Sequence, residues 1–101
     1  MFKGAIAENY IAEELNSMDI PLIYWKSKGN AKIDFLLTTS DWIIPIEVKA
    51  SKRTQSKSLN VYIQEYKPKY AIRISAKNFG FKNNIKSIPL YAAFCLYDTK
   101  G

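Results

Sequence analysis

Four residues of this chain have types and spacings that could do chemistry together: Glu8, Asp34, Glu47 and Lys49. Glu47 and Lys49 stand one residue apart in the run Ile43-Ile44-Pro45-Ile46-Glu47-Val48-Lys49-Ala50, so in an extended chain they share a face. Asp34 interrupts the apolar run Ile33-Asp34-Phe35-Leu36-Leu37, and Glu8 falls near the middle of the apolar side of a helical stretch. A carboxylate in an apolar frame is costly to bury unless it is paired, hydrogen-bonded or close to a cation. Two or three clustered carboxylates can hold a divalent metal that polarises a phosphodiester and activates a water, and a lysine can stabilise the charge that develops. The set therefore predicts metal-assisted attack on phosphate, with Glu8, Asp34 and Glu47 around Mg²⁺ or Mn²⁺ and Lys49 at the reacting phosphate. The competing structural reading is an ion pair, Glu8–Lys49 or Asp34–Lys49, kept in a fold that no longer cleaves.

The rest of the composition narrows the chemistry. There is no histidine, which removes the usual general base, Ser-His-Asp relays and histidine zinc sites. Gly4, Gly29, Gly80 and Gly101 are isolated from one another, so no phosphate-cradling glycine loop is present. Cys95 is the single cysteine and sits in an apolar run, where a thiol usually acts as a small hydrophobe. The longest apolar stretches fall well short of the roughly 20 residues a spanning helix needs. Lys3 is the only cation ahead of Glu8, Glu13 and Glu14, which is not a signal-peptide pattern, and a cytoplasmic location is expected.

Charge is placed unevenly. Residues 1–48 carry a net −3, residues 49–86 a net +9 and the last fifteen residues zero, giving +6 in all. So one-sided a block predicts a surface that attracts a polyanion, with DNA the expected partner and Lys52, Arg53, Lys57, Lys67, Lys69 and Arg73 the candidate nucleic-acid contacts. Lysines that are merely solvated are the bland alternative.

These residues need elements to position them. With 101 residues and an ordinary globular composition, one domain over 1–101 is expected. Residues 3–18 are rich in helix formers and predict a helix with Ile11, Ala12, Leu15 and Met18 inward. Leu22 to Trp25 predicts a strand and Ser27 to Asn30 its turn. In the next strand Ile33, Phe35 and Leu37 share a face, leaving Asp34 on the other. Trp42 to Ala50 predicts a third strand. Ser58 can cap a helix with Leu59, Tyr62, Ile63 and Tyr66 on one face, ending before Pro68. Tyr70 to Ser75 predicts another strand. Pro89 can open a helix over Leu90 to Tyr97, though the same residues would suit a buried strand.

The resulting fold class is α/β, an α-β-β-β-α-β core with a mixed central sheet flanked by helices. An acid on the first helix, an aspartate on the second strand and Glu-x-Lys on the third follow the order of the PD-(D/E)XK, or restriction-endonuclease-like, core. The similarity extends beyond that pattern. Lys3-Gly4-Ala5-Ile6-Ala7-Glu8-Asn9, Ile33-Asp34-Phe35-Leu36, Ile44-Pro45-Ile46-Glu47-Val48-Lys49-Ala50, Lys57-Ser58-Leu59, Tyr66-Lys67-Pro68-Lys69-Tyr70-Ala71 and Ile88-Pro89-Leu90-Tyr91-Ala92 together resemble one family. It is the nuclease-like C-terminal domain of unknown function behind the AAA+ module of many prokaryotic ATPases. The resemblance implies a nuclease-like fold, association with DNA and partnership with an AAA+ ATPase module that this chain lacks.

Two features depart from the family. Lys32 stands where an acid usually precedes the aspartate by two residues, and Met1 lies so close to the first motif that the chain is expected to be a detached or truncated C-terminal piece. The Gln-x-x-x-Tyr signature of RecB-like nucleases is absent, because Pro68 follows Gln64 by four. Three functions stay open: a metal-dependent DNA phosphodiesterase, a nuclease-like module that binds DNA without cleaving it, and an interaction domain using exposed aromatics such as Tyr10, Tyr24 and Trp42.

Overall fold

The computed structural model describes residues 4–21, 23–29, 31–38, 42–49 and 57–95, and for 4–8 and 93–95 the backbone alone. In chain order the elements are α1 (Gly4–Ser17), β1 (Trp25–Lys26), β2 (Lys32–Ile33), β3 (Phe35–Thr38), β4 (Ile43–Val48), α2 (Lys57–Tyr66), β5 (Ala71–Ser75), β6 (Gly80–Lys82), β7 (Ile85–Pro89) and a 3-10 helix (Leu90–Cys95). The result is a mixed α/β fold. Five strands form one sheet in the order β3-β4-β5-β7-β6, while β1 and β2 form a separate two-stranded ribbon. The three central strands β4, β5 and β7 run parallel, and β3 and β6 close the edges antiparallel.

Alternation along β4 and β5 divides the core between two faces. Ile44, Ile46 and Val48 with Ile72 and Ile74 cluster against Ile11 and Leu15 of α1. Ala71, Ile33 and Ile85 cluster with Leu59 and Tyr62 of α2. The α1 face matches its sequence pattern: Ile11 and Leu15 are fully buried, whereas Asn9 and Glu13 are exposed. Pro45, which has no N–H to give, sits where β4 already pairs with β3 but its register with β5 has not begun.

Both helices end on left-handed residues. Asp19 (φ 59°) closes α1 as the Ile20 N–H donates to Leu15 O and the Asp19 N–H to Asn16 O, with Ile20 and Leu15 in one apolar cluster. Lys67 (φ 48°) closes α2 through its N–H to Ile63 O, and Pro68 prevents continuation.

Several expectations are corrected. The first strand is only Trp25–Lys26: Ile23 and Tyr24 are exposed, and among the described residues the Leu36 N–H donates to Ile23 O. Ser58 lies inside α2, which begins at Lys57, and its Oγ accepts from the Lys32 N–H at 3.2 Å. Ile33 does not share a face with Phe35 and Leu37: it belongs to the α2 cluster and they to the α1 cluster. The cause is a bend at Asp34, which separates β2 from β3 and resets the alternation. The β6–β7 hairpin is an addition to the expected elements. Its turn is Asn83-Asn84, both at positive φ (53° and 63°), between Lys82 and Ile85, the two-residue loop whose twist matches a hairpin. Pro89 ends β7 instead of starting a helix, and the helix after it is 3-10, with Ala92 (φ −105°, ψ 24°) off helical geometry. Its expected extension to Tyr97, the Ala50 end of β4, Leu22 and Asn30 lie outside the described residues, as does the Cys95 side chain.

Candidate active site

The site begins with the interruption at Asp34. The β3–β4 register runs Phe35↔Ile46 and, if continued, would bring Asp34 opposite Glu47 and then Ile33 opposite Val48. The bend sends Ile33 instead to Trp25 of β1, which leaves the Val48 N–H without its ladder partner. Asp34 supplies one: its Oδ2 accepts from the Val48 N–H at 2.8 Å. A buried backbone donor must be met somewhere, and here a carboxylate meets it. On the other side of β4 the Lys49 N–H donates to Ile74 O at 2.8 Å, so the end of β4 is pinned on both sides.

Glu47 alternates with Ile46 and Val48 and projects to the opposite sheet face. It is 5% exposed. Its Oε1 lies 3.2 Å from Lys49 Nζ, and its Oε2 is buried with no hydrogen-bond partner among the described residues. A buried oxygen left in this way asks for an explanation, since ionised carboxylates are seldom buried without full pairing. The lysine is the accessible member of the pair, its side chain 40% exposed. The structure thus brings Asp34, Glu47 and Lys49 together at the C-terminal end of β4. The backbone of Glu8 lies in α1, against the face bearing Ile44, Ile46 and Val48, and its side chain lies outside the described residues.

Sequence reasoning did not single out the polar row beside Glu47. Arg73 stands opposite Glu47 in the β4–β5 register and Ser87 opposite Arg73 in the next, and all three are buried. The expectation of Arg73 at a nucleic-acid surface is therefore corrected: it is 6% exposed and belongs to the interior of the sheet. The alternating runs Ala71-Ile72-Arg73-Ile74-Ser75 and Ile85-Lys86-Ser87-Ile88 carry the signal, because they place Arg73, Ser75 and Ser87 on the face of Glu47. A cavity of about 390 Å³ opens beside Lys49, between Tyr10 of α1, Ser75 at the end of β5 and Leu90 and Tyr91 after β7.

Of the other expected DNA contacts, Lys57, Lys67 and Lys69 are exposed, while Lys52 and Arg53 lie outside the described residues. Lys67 and Lys69 line a groove with Trp42 and Tyr66, and Lys69 Nζ sits 4.2 Å from the centre of the Trp42 ring. Below it Trp25, Tyr62 and Tyr66 pack edge-on and tilted, and the Trp25 indole donates to the Tyr66 hydroxyl at 3.2 Å.

The sequence matches the family described as Domain of unknown function (DUF4143) over residues 3–93. The chain belongs to the DUF4143 family. The matched stretch holds α1, all seven strands and Glu8, Asp34, Glu47 and Lys49, so the candidate site lies wholly within the DUF4143 domain. No curated protein and no solved structure matches the chain.

Whether this DUF4143 domain suits a divalent metal can be tested on its donors. Mg²⁺ and Mn²⁺ take hard oxygen ligands, and the unpartnered Oε2 of Glu47 is one. Among the described residues no three of His, Cys, Asp and Glu gather as a metal site. Asp34 and Glu47 are the described acids at this end of β4, Asp34 already accepting from the Val48 N–H, and α1, which carries Glu8, packs on the face of β4 opposite to Glu47. No helix among the described residues is long and apolar enough to cross a membrane.

Proposed function

We propose that this DUF4143 domain is a nuclease-like module of the PD-(D/E)XK type that hydrolyses DNA phosphodiesters with Mg²⁺ or Mn²⁺. The observation that carries the reading is Glu47, a buried carboxylate with one oxygen unpartnered, set beside Asp34 and a half-exposed lysine at the end of a parallel strand. Ligand sites of open α/β sheets lie at the carboxyl ends of their strands. Asp34 and Glu47 would hold the metal, which when bound supplies a Lewis acid on the phosphate and a more acidic water. The chain's own part is electrostatic and positional. Lys49 offsets negative charge on the phosphate, and burial of Glu47 keeps water from competing for its carboxylate. The exposed Lys57, Lys67 and Lys69 add attraction for the DNA backbone. The ordered motifs shared with the domain behind AAA+ modules support such an ATPase as its working partner.

Calorimetric titration with Mg²⁺ and Mn²⁺, run beside a DNA-nicking assay, tests this. Glu47→Ala is expected to lose metal affinity and cleavage together. Lys49→Ala is expected to lose cleavage while binding metal as well as before or more tightly, because a repelling charge has gone. Wild-type protein that binds no divalent metal at millimolar concentration, or variants that titrate identically, would overturn the reading. The 3.2 Å Lys49–Glu47 pair favours a second one, in which the ammonium already neutralises the carboxylate and the module grips DNA without cutting it. Under that reading DNA binding survives and the metal isotherm is flat.

A further inference from the structure

The cavity beside Lys49 is not needed to hold a metal or a phosphate, yet it is built around their place. Three parallel strands end on it: Lys49 follows β4, Ser75 ends β5, and Leu90 follows β7. Its volume, about 390 Å³, is within the range of small-molecule sites, roughly 300–1,000 Å³. The lining is mainly apolar and includes two phenol rings, Tyr10 from α1 and Tyr91 from the 3-10 helix, the latter 72% exposed. Lys49 is the only charged group among the described lining residues. An apolar, aromatic-walled cavity with one cation at its wall fits a ligand that is flat and apolar on its faces and anionic at one end.

From this we infer that the cavity is a subsite for one unpaired nucleobase, whose 5′ or 3′ phosphate rests at Lys49, and hence that the domain acts on single-stranded DNA. A base inside a duplex is stacked on both faces and cannot enter, whereas an unpaired one can exchange water for a tyrosine ring. The Ser75 Oγ accepts from the Lys77 N–H at 3.1 Å and keeps its O–H to donate to an acceptor on the base edge, which each of the four bases offers. Recognition is by stacking and shape with this one donor beside it, a combination that tolerates every base. The inference rests on the phosphodiester reading for the phosphate at Lys49, but its readout is separate from cleavage.

The test is fluorescence anisotropy with a labelled single-stranded oligonucleotide and its matched duplex, in EDTA so that no cleavage occurs, on wild type, Tyr91→Ala and Tyr91→Phe. Wild type is expected to prefer the single strand. Tyr91→Ala should weaken single-strand binding by about fivefold or more, the effect of removing one stacked base, and leave duplex binding unchanged. Tyr91→Phe should retain the single-strand affinity, since the ring and not the hydroxyl carries the interaction. Equal wild-type affinity for strand and duplex, or the same single-strand affinity in the alanine and phenylalanine variants, overturns the subsite. A flat metal isotherm with the tyrosine effect intact would remove the catalytic reading and leave the subsite standing. Metal-dependent nicking with no tyrosine effect would do the reverse.

Discussion

Replacing Asp34 separates its backbone role from its charge. Its Oδ2 takes the Val48 N–H at 2.8 Å, at the point where the bend has removed the ladder partner. Asp34→Ala leaves that partly buried donor unmet, and a hydrogen bond to a charged group is worth about 1.5–3 kcal/mol. Taking about 2 kcal/mol, and about 5 °C per kcal/mol for a domain near 100 residues, the melting temperature should fall by about 10 °C. Asp34→Asn keeps an acceptor in the same place and loses only the charge assistance, about 1 kcal/mol or roughly 5 °C. The assay is thermal unfolding of wild type and both variants in EDTA, so that no metal contributes, with hydrogen exchange at the Val48 amide as the local readout. The amide should stay protected in Asp34→Asn and become labile in Asp34→Ala. If both variants melt with the wild type and the Val48 amide is equally protected in all three, the carboxylate does not hold the end of β4. Activity should follow a different order, because the asparagine preserves the fold but supplies no anionic ligand, so both variants are expected to be inactive.

The remaining expectations concern the surface, a core phenol and a turn. DNA affinity should fall steeply with salt, and the combined Lys57→Ala, Lys67→Ala and Lys69→Ala variant should have a shallower log–log salt slope, by about 0.9 for each phosphate left without a lysine; an unchanged slope in anisotropy titrations would remove these lysines from the interface. Burial, and secondarily the neighbouring Tyr66, raises the Tyr62 phenol above its ordinary 10.0. Its neutral form is thus favoured by folding, so this contribution is complete below pH 10.0 and is lost as pH rises through the folded value. Tyr62→Phe should flatten the alkaline decline of the urea midpoint, and an equally steep decline in the variant would refute the assignment. At the β6–β7 turn, Asn84→Val should cost about 1–2 kcal/mol because Asn84 has φ 63°, whereas Asn84→Gly should be neutral or stabilising; urea melts that rank the two variants equally would contradict the hairpin geometry.

Where one physical rule governs a segment, the sequence makes it legible. The helical period of Ile11 and Leu15, the i, i+3 spacing of Leu59 and Tyr62, and the alternation through Ile44, Ile46 and Val48 all survive in the packing. The strand at Ile33 to Leu37 is not legible in this way, because period-2 alternation assumes an unbroken ladder and a bend shifts every later residue to the other face. The β6–β7 hairpin escapes pattern reading because β6 is three residues long, exposed throughout and unpatterned. Its one cue is Asn83-Asn84, two residue types that tolerate positive φ, between short apolar runs. At the site, Glu47 and Lys49 follow from alternation alone, whereas the burial of Arg73 and Ser87 depends on strand order. Only the crossover that places β5 between β4 and β7 makes Glu47, Arg73 and Ser87 neighbours, and no local pattern encodes it.

The broken alternation at Asp34 and the candidate site have one origin. Had β2 continued into β3, a backbone carbonyl would meet the Val48 N–H and Ile33 would pair with β4 instead of Trp25. The C-terminal end of β4 would then be an ordinary paired strand, and a carboxylate at position 34 would have no backbone reason to turn toward it. By bending there, the chain exchanges a neutral ladder bond for an ionic one and holds two carboxylates and a lysine at the mouth of the parallel strands. Local rules fail most readily where a sequence gives up regularity for a site. Here the same side chain both compensates the broken ladder and supplies part of the charge, so a single aspartate couples the position of Glu47 and Lys49 to the backbone that carries them.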